Sequence, residues 1–206
     1  MIYDNHDERI PYHKLFLERD NMDGIPDYPL PAGYRFAFYR PGDHCAWIEI
    51  EKSAKEFDSY ERGLQIWERF YGGKDHELIH RMVFIENETG EKVATASAYY
   101  DIHGNDKTGA GWLHWVAVKR EYQGKGLARP LISHTLHLLR RLGYSHVIIQ
   151  TQSISWVACR LYMDFGFSPT AQSAIDNIFG WRIIKRLTDH PILSDFEPAT
   201  DEEMQK

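Results

Sequence analysis

The fold is decided by two neighbouring segments, Trp112-Leu113-His114-Trp115-Val116-Ala117-Val118 and Gln123-Gly124-Lys125-Gly126-Leu127-Ala128. The first segment is apolar and partly β-branched, which predicts a buried strand. After the second segment, apolar residues recur at helical spacing as far as Leu142, and Gly143 supplies a stop signal. A glycine-rich loop between a strand and a helix presents backbone N–H groups at the positive end of the helix dipole. We therefore expect this loop to hold phosphate oxygens.

Composition sets broad limits on what the chain can be. Its 206 residues are 43% hydrophobic, enough for one core, so we expect a single domain with elaborations. The net charge of −6 argues against nucleic acid or an anionic membrane as a partner. No apolar run approaches the roughly 20 residues that span a bilayer, and the polar, acidic start predicts no signal peptide. Two cysteines give no disulfide framework, which favours a cytoplasmic location.

The remaining pattern predicts an α/β (α+β) chain in which a β-hairpin leads into alternating strands and helices. We expect helices over residues 43–55 and 59–71, the second with an inner face that includes Leu64 and Trp67, and a further helix that Ser155 caps and Gly166 ends. The predicted strands are a short edge strand at 14–19, a strand at 34–39, the hairpin strands 81–86 and 92–99, a strand at 146–150 and a last strand at 181–187. A polar turn is expected at residues 103–109.

Two common phosphate-binding motifs do not fit the glycine loop. A P-loop requires G-x-x-x-x-G-K-[ST], and this spacing does not occur. A dinucleotide fingerprint requires a third small residue, whereas Gly124-x-Gly126-x-x is followed by Arg129. Neither a nucleotide-hydrolysing nor a dinucleotide-binding protein is indicated.

A third interpretation of the glycine loop rests on a resemblance to a known family. Gln123-x-x-Gly126-x-Ala128 resembles the [Q/R]-x-x-G-x-[G/A] loop of the GNAT superfamily of acetyl-CoA-dependent N-acetyltransferases. Downstream, Ala158-x-x-Leu161-Tyr162-x-x-x-Gly166-Phe167 is similar to that family's A-x-x-L-Y-x-x-x-G-F segment. The resemblance implies a GNAT fold, a mixed and mostly antiparallel twisted sheet flanked by helices. It also implies an acetyltransferase domain at 34–187, with an N-terminal extension at 1–33 and a C-terminal tail at 188–206.

The resemblance also implies where the co-substrate acetyl-CoA binds. The pyrophosphate would lie on the backbone N–H groups of the loop, and the pantetheine arm would pair with the preceding strand, where an N–H near Val116 would face the thioester oxygen. Ser155 occupies a position at which many members have asparagine, so a carboxamide contact to the cofactor is in doubt. The implied cofactor-binding residues are Val116, Ala117, Val118, Gln123, Gly124, Lys125, Gly126, Leu127, Ala128 and Ser155. No metal is implied.

Catalytic roles are carried over in the same way. Tyr162 matches the family's tyrosine and would act as the general acid for the departing thiolate, although its helical spacing is equally that of a core residue. Some relatives carry a glutamate two residues before position 114, where this chain has Trp112, and His114 on the same face could take the proton instead. A hydrogen-bonded histidine of the sheet is the alternative for His114. Three glutamates of the first helical region are further candidates for the base, although most glutamates there should be surface charges: Glu49, Glu51 and Glu56.

The acceptor would be a primary amine of a small molecule or peptide, bound between the first helices and the sheet. The aromatic residues expected there are Trp47, Phe57, Tyr60 and Trp67, any of which could equally belong to the core. The acidic charge balance hints at a cationic amine. The oligomeric state stays open, with a homodimer as one alternative.

Two rival functions remain. One is a non-catalytic acyl-CoA-binding regulatory module on the same fold. The other is a zinc metallopeptidase, because His76-Glu77-Leu78-Ile79-His80 fits H-E-x-x-H. That motif requires a long helix, but glycines precede it and a strand-like segment follows at once. We therefore expect His76 and His80 not to share a face.

Overall fold

A computed structural model of the protein describes residues 6–100 and 109–205. The predicted polar turn at 103–109 lies outside the described residues, apart from Gly109, as do the first five residues of the predicted N-terminal extension. The described strands are β1 (Lys14–Arg19), β2 (Arg35–Phe38), β3 (Met82–Glu86), β4 (Lys92–Tyr100), β5 (Gly111–Val118), β6 (Val147–Gln152) and β7 (Ser168–Pro169). The described helices are α1 (His44–Ser53), α2 (Tyr60–Tyr71), α3 (Asp75–Arg81), α4 (Ala128–Arg141), α5 (Trp156–Asp164), α6 (Ala171–Asp176) and α7 (Ile178–Thr188). The predicted α/β class is confirmed.

The chain divides into two compact units, Met22–Ser145 and a second that combines Met1–Asn21 with His146–Lys206. In the Met22–Ser145 unit, β2, β3, β4 and β5 form an antiparallel sheet in chain order. The predicted hairpin between β3 and β4 is confirmed, and Gly90 at its turn has a φ of +82°. Alternation along β4 directs Thr95, Ser97 and Tyr99 to one face of this sheet. Tyr71 of α2 contacts both Ser97 and Tyr99, and Trp47 of α1 packs on Tyr71, so α1 and α2 cover that face.

Local signals account for the ends of α2 and α4. The Ser59 side chain accepts a hydrogen bond from the backbone N–H of Arg62 and caps α2. Trp67 and Tyr71 are buried on the inner face of α2, as their spacing predicts, whereas Leu64 is only partly buried. α4 packs against β4 and β5 and ends before Gly143, which has a φ of +93°. These helices therefore begin and end close to the positions that the sequence predicts.

In the second unit, β1 pairs antiparallel with both β6 and β7. The prediction of an edge strand at residues 14–19 was therefore wrong, because both sides of β1 carry a partner. Its apolar residues Leu15 and Leu17 are fully buried. Two residues of α7, Gly180 and Trp181, are also buried, and a Cβ at Gly180 would lie 2.9 Å from the Leu15 side chain, so α7 packs closely on β1.

The last predicted strand, at residues 181–187, is instead the helix α7. Its buried residues recur at helical spacing, which places them on one face: Gly180, Trp181, Ile183, Ile184 and Thr188. Asp189 in the left-handed conformation ends the helix. Residues beyond α7 pack back on it, since Ala199 N–H donates to the Arg182 carbonyl and Arg182 pairs with Glu203. Among the described residues, no helix combines the length and apolarity needed to cross a membrane.

Candidate active site

The glycine loop lies between β5 and α4 in the Met22–Ser145 unit, as predicted. Gly124 and Gly126 have φ values of +76° and +78°, a region that residues with a Cβ enter at a cost. The Gln123 side chain donates a hydrogen bond from Nε2 to the Val118 carbonyl at 3.0 Å, which ties the loop to the end of β5. Gly124, Lys125 and Gly126 are exposed, so the loop is open to a ligand.

The start of α4 is suited to an anion. Leu127 occupies the N-cap position and offers no side-chain cap, and the first turn contains no acidic residue. The N–H groups of this turn and the helix dipole are therefore not neutralised by a side chain of the helix itself. A phosphate group would be stabilised at this position, which is what an acyl-CoA pyrophosphate requires.

β5 carries a bulge directly upstream of the loop. In the pairing with β4, Thr95 lies opposite Ala117 and Ser97 lies opposite His114, so Trp115 and Val116 together face the single residue Ala96. Trp115 has a φ of +48°, which is unusual for a residue with a Cβ. The extra residue brings His114 and Trp115 to the same face, where His114 contacts Tyr71 and Trp115 contacts Trp47. The bulge also removes part of the backbone at 115–116 from the ladder with β4.

His114 is held by a hydrogen-bonded pair of hydroxyl groups. Its Nδ1 lies 2.8 Å from the Tyr71 hydroxyl, which lies 3.2 Å from Ser97 Oγ. If Tyr71 donates to Ser97, the Tyr71 oxygen accepts from the Nδ1–H of His114, and the lone pair of the neutral imidazole is then at Nε2. Burial raises the pKa of Tyr71 well above its usual range, so the phenol stays protonated. The contact is compatible with both predicted roles of His114, a base and a hydrogen-bonded histidine of the sheet.

Ser155 and Tyr162 belong to the other unit. Ser155 precedes α5 at its N-cap position but makes no capping hydrogen bond, so the expected cap was wrong in this respect. Its Oγ instead accepts from Gln152 Nε2 at 3.2 Å. Tyr162 is 5% exposed, and its ring packs edge-on against Phe167 at 6.3 Å. Gly166 has a φ of +81° and ends α5, as predicted.

The comparison with known families settles what this architecture is. The model of the family described as Acetyltransferase (GNAT) family matches residues 37–167. This chain belongs to the GNAT family. The match runs through β5, the glycine loop and α4, and it ends at Phe167, the last residue of the second sequence motif.

Individual GNAT relatives are similar over shorter stretches. The human N-acetyltransferase 8B is 38% identical over 61 residues, which are 30% of this chain and 27% of the relative. A mycothiol acetyltransferase of Acidothermus cellulolyticus is 27% identical over 170 residues, 74% of this chain and 50% of the relative. This chain thus spans half or less of the length of these curated relatives. Among solved structures, a GCN5-related N-acetyltransferase from Sphaerobacter thermophilus has a TM-score of 0.59 at 20% identity, covering 78% of this chain and 49% of that one. That likeness supports the predicted GNAT fold.

Above the GNAT sheet, α1 and α2 contribute an aromatic layer. Trp47 is fully buried and lies 5.3 Å from the rings of both Trp67 and Trp115. Phe57, 6.1 Å from Trp47, is also buried, and Tyr60 packs on the same cluster. The aromatic residues predicted for the acceptor region therefore belong to a single cluster.

Glu51 is the acidic residue of this layer. Of the three glutamates considered as bases, Glu49 and Glu56 are exposed, but Glu51 is fully buried. Burial, together with repulsion from Glu56, raises the pKa of Glu51 well above its usual range. The spacing of Glu51 four residues after Trp47 was the available signal, since residues i and i+4 share a helix face.

The H-E-x-x-H segment lies on α3, a helix of 7 residues, so the long helix that the motif requires is not formed, but the expectation that His76 and His80 would not share a face was wrong. His76 and His80 are therefore four residues apart on one helix and share a face, although both are exposed. Glu77 is engaged by its neighbours, accepting from the Tyr100 hydroxyl at 3.0 Å and pairing with Arg81 at 3.3 Å. Within the described part of the chain, the one group of three side chains close enough to share a metal ion is Glu18, Asp20 and His146, which includes neither motif histidine.

Both cysteines are unbridged, with Cys45 exposed and Cys159 buried. Burial raises the pKa of the Cys159 thiol to about 12, which makes it a poor nucleophile.

Proposed function

We propose that this chain transfers the acetyl group of acetyl-CoA to a primary amine of a small molecule or peptide, by direct attack in a ternary complex. The observation that carries the proposal is the continuous arrangement of a bulged β5, a glycine loop with two left-handed residues and an uncapped start of α4. Membership of the GNAT family supports the same reaction class.

The residues of the loop suit the co-substrate. Gly124 and Gly126 allow a backbone turn that exposes N–H groups, and the N-terminus of α4 adds its positive dipole end for the pyrophosphate. The bulged segment up to Val118 would pair with the pantetheine arm, and a backbone N–H near Val116 would stabilise charge on the thioester oxygen. Acetyl-CoA supplies the acetyl group as an activated thioester.

In the proposed reaction, a carbon–nitrogen bond forms to the acceptor and the carbon–sulfur bond breaks. His114 takes the proton that the amine nitrogen loses, at Nε2, while its Nδ1–H stays bonded to the Tyr71 oxygen. The proton for the departing thiolate comes from Tyr162, a role that rests on the match of Ala158 to Phe167 with the family motif. The assignment of Ser155 to the cofactor site rests on the same match.

Binding of acetyl-CoA is the first test. A concentration 100-fold above the dissociation constant should stabilise the protein by about 2.7 kcal/mol, which a melting curve resolves. Gly124→Ala should weaken acetyl-CoA binding about tenfold or more, because a Cβ disfavours the left-handed loop. Gly143→Ala is a matched control: its φ of +93° is also left-handed and a Cβ would also meet open space, but it lies at the other end of α4. No shift with acetyl-CoA or any longer acyl-CoA would overturn the proposal.

Turnover separates an enzyme from the non-catalytic module. Thiol release from acetyl-CoA should be detectable with an amine panel, and Tyr162→Phe should lower kcat about 100-fold while leaving the shift by acetyl-CoA intact. Equal turnover by Tyr162→Phe would remove Tyr162 from the mechanism. Binding without turnover of any amine would favour the regulatory module.

A further inference from the structure

One carboxyl group in the aromatic layer stands out among the described residues. Glu51 is 0% exposed, and neither of its carboxyl oxygens has a hydrogen-bond partner among the described residues. Glu49, two positions earlier on α1, is exposed in the ordinary way. A buried polar group without a partner costs free energy, and a buried unpaired charge costs far more. Such a group calls for a physical explanation.

Three further polar atoms, on α1 and on the two strands that it packs against, are in the same condition. Trp47 Nε1 on α1, Thr95 Oγ1 on β4 and Trp115 Nε1 on β5 are also buried and without a hydrogen-bond partner in the described part of the chain. α1 packs against both β4 and β5, and the Trp47 and Trp115 rings lie 5.3 Å apart. The orphaned groups therefore come from three mutually packed elements, and two of the three residues, Thr95 and Trp115, border the β5 bulge.

The chemistry of this layer fits an organic cation. A carboxylate can pair with an ammonium group, and the faces of tryptophan and tyrosine rings attract cations when water is excluded. Trp47, Trp67 and Tyr71 supply such rings within one cluster, and Phe70 and Trp115 at its margin are partly exposed. Tyr71 also contacts His114, so this layer reaches the proposed proton acceptor.

We propose that Glu51 is the specificity residue for a cationic acceptor: its carboxylate binds the ammonium group of a primary alkylamine, and the indole rings of Trp47 and Trp115 pack against the attached carbon chain. The inference rests on the proposed function for the identity of this ligand as the acetyl acceptor. When the amine binds, Glu51 releases its proton to solvent and its carboxylate positions the amine. The ammonium nitrogen then loses one proton to solvent before attack and one to His114 as the carbon–nitrogen bond forms.

The test measures amine binding without acetyl-CoA. Wild type, Glu51→Gln and Glu49→Gln are titrated with phenethylamine and putrescine, which are cationic at neutral pH, and with para-toluidine, which is neutral. Tryptophan fluorescence and melting temperature report binding. At least one alkylamine should bind wild type, and Glu51→Gln should weaken that binding about tenfold or more, whereas Glu49→Gln should leave it unchanged. Absence of alkylamine binding, or binding that Glu51→Gln retains, would overturn the proposal.

A second variant distinguishes loss of amine binding from a folding defect. Glu51→Met keeps a side chain of similar length without a carboxyl or amide group and should lose alkylamine binding with an unchanged circular dichroism spectrum. For amines that turn over, Glu51→Gln should raise the KM for the amine and leave the KM for acetyl-CoA unchanged. Failure of the proposed function would look different. The protein would then bind alkylamines in a manner that depends on Glu51, but it would neither bind acetyl-CoA nor release thiol from it.

Discussion

Trp115 shows how a single backbone conformation organises the site. A tryptophan with a φ of +48° is strained, and such residues persist where the surrounding packing holds them. The ring of Trp115 packs on both Trp47 and Phe70, which compensates for the strain. Because of this conformation, His114 and Trp115 face the same layer of α1 and α2 residues. The β5 backbone next to them is also not regularly paired with β4. The strain therefore lies at the point where we propose that the thioester binds.

Tyr71 is expected to position His114. Tyr71→Phe removes the hydroxyl that contacts both His114 Nδ1 and Ser97 Oγ, and the imidazole loses the bond that fixes its tautomer. We expect kcat to fall about tenfold with an unchanged KM for acetyl-CoA, and the free energy of unfolding to fall by about 1–3 kcal/mol. Steady-state kinetics and chemical denaturation check the two parts.

Tyr39→Phe serves as the control for Tyr71→Phe. Tyr39 is also buried, and its hydroxyl donates to Asp75 rather than to a group near His114. It should lose stability to a similar extent and keep kcat close to that of wild type. An equal loss of kcat in both variants would show that Tyr71 acts only through stability.

At the scale of the element, α1 ends with an unusual residue. Lys55 N–H donates to the Lys52 carbonyl and Glu56 N–H donates to the Glu51 carbonyl, which is the Schellman arrangement. The position that this motif normally gives to glycine is held by Lys55, with a φ of +69°. The C-terminal end of α1, the helix that carries Glu51, therefore has a conformational free-energy cost.

That cost can be measured with a pair of variants. Lys55→Gly and Lys55→Ala both remove the lysine side chain, but only glycine relieves the left-handed strain. We expect the glycine variant to be more stable than the alanine variant by about 1 kcal/mol, as measured by chemical denaturation. Equal stabilities would mean that the turn relaxes to another conformation when the lysine is removed.

Local sequence patterns correctly predicted the features that depend only on a few adjacent residues. The glycine loop, the start of α2 next to Ser59 and the stop at Gly143 are each determined by a few adjacent residues, and all lie where they were expected. α7 shows the limit of this reasoning, because Trp181 to Leu187 is rich in branched residues and fits a strand as well as a helix. Burial of Gly180, Ile184 and Thr188 on one face resolves the ambiguity, and that face depends on packing against β1.

The candidate site likewise contains parts that the sequence predicts and parts that it does not. Its loop was predictable from Gln123 to Ala128, whereas the contact between Tyr71 and His114 joins residues 43 positions apart. The bulge at Trp115 is a matter of register with β4, and the burial of Glu51 depends on how α1 packs against that sheet. The bulge leaves no signature in the local sequence, and the i, i+4 spacing of Trp47 and Glu51 indicates a shared helix face without showing that the face is buried, because both features are tertiary effects.

At the scale of the whole molecule, Glu51 should make stability depend on pH. The pKa of Glu51 is raised above the ordinary value of 4.5 in the folded state, so the folded protein holds a proton that the unfolded chain releases above that pH. The part of the cost that comes from ionisation is therefore absent below about pH 4.5 and grows as the pH rises toward the folded-state pKa.

Glu51→Gln should consequently be more stable than wild type at neutral pH. The difference in unfolding free energy between the two should increase above about pH 4.5 by up to about 1.4 kcal/mol per pH unit, and it should be small and constant below that pH. Denaturation curves for wild type, Glu51→Gln and the exposed control Glu49→Gln at a series of pH values give this difference, because groups that titrate alike in all three proteins cancel. A difference that does not vary with pH would show that Glu51 ionises normally in the folded protein. A stabilised variant that has also lost alkylamine binding would instead link the energetic cost of Glu51 to recognition of the acceptor.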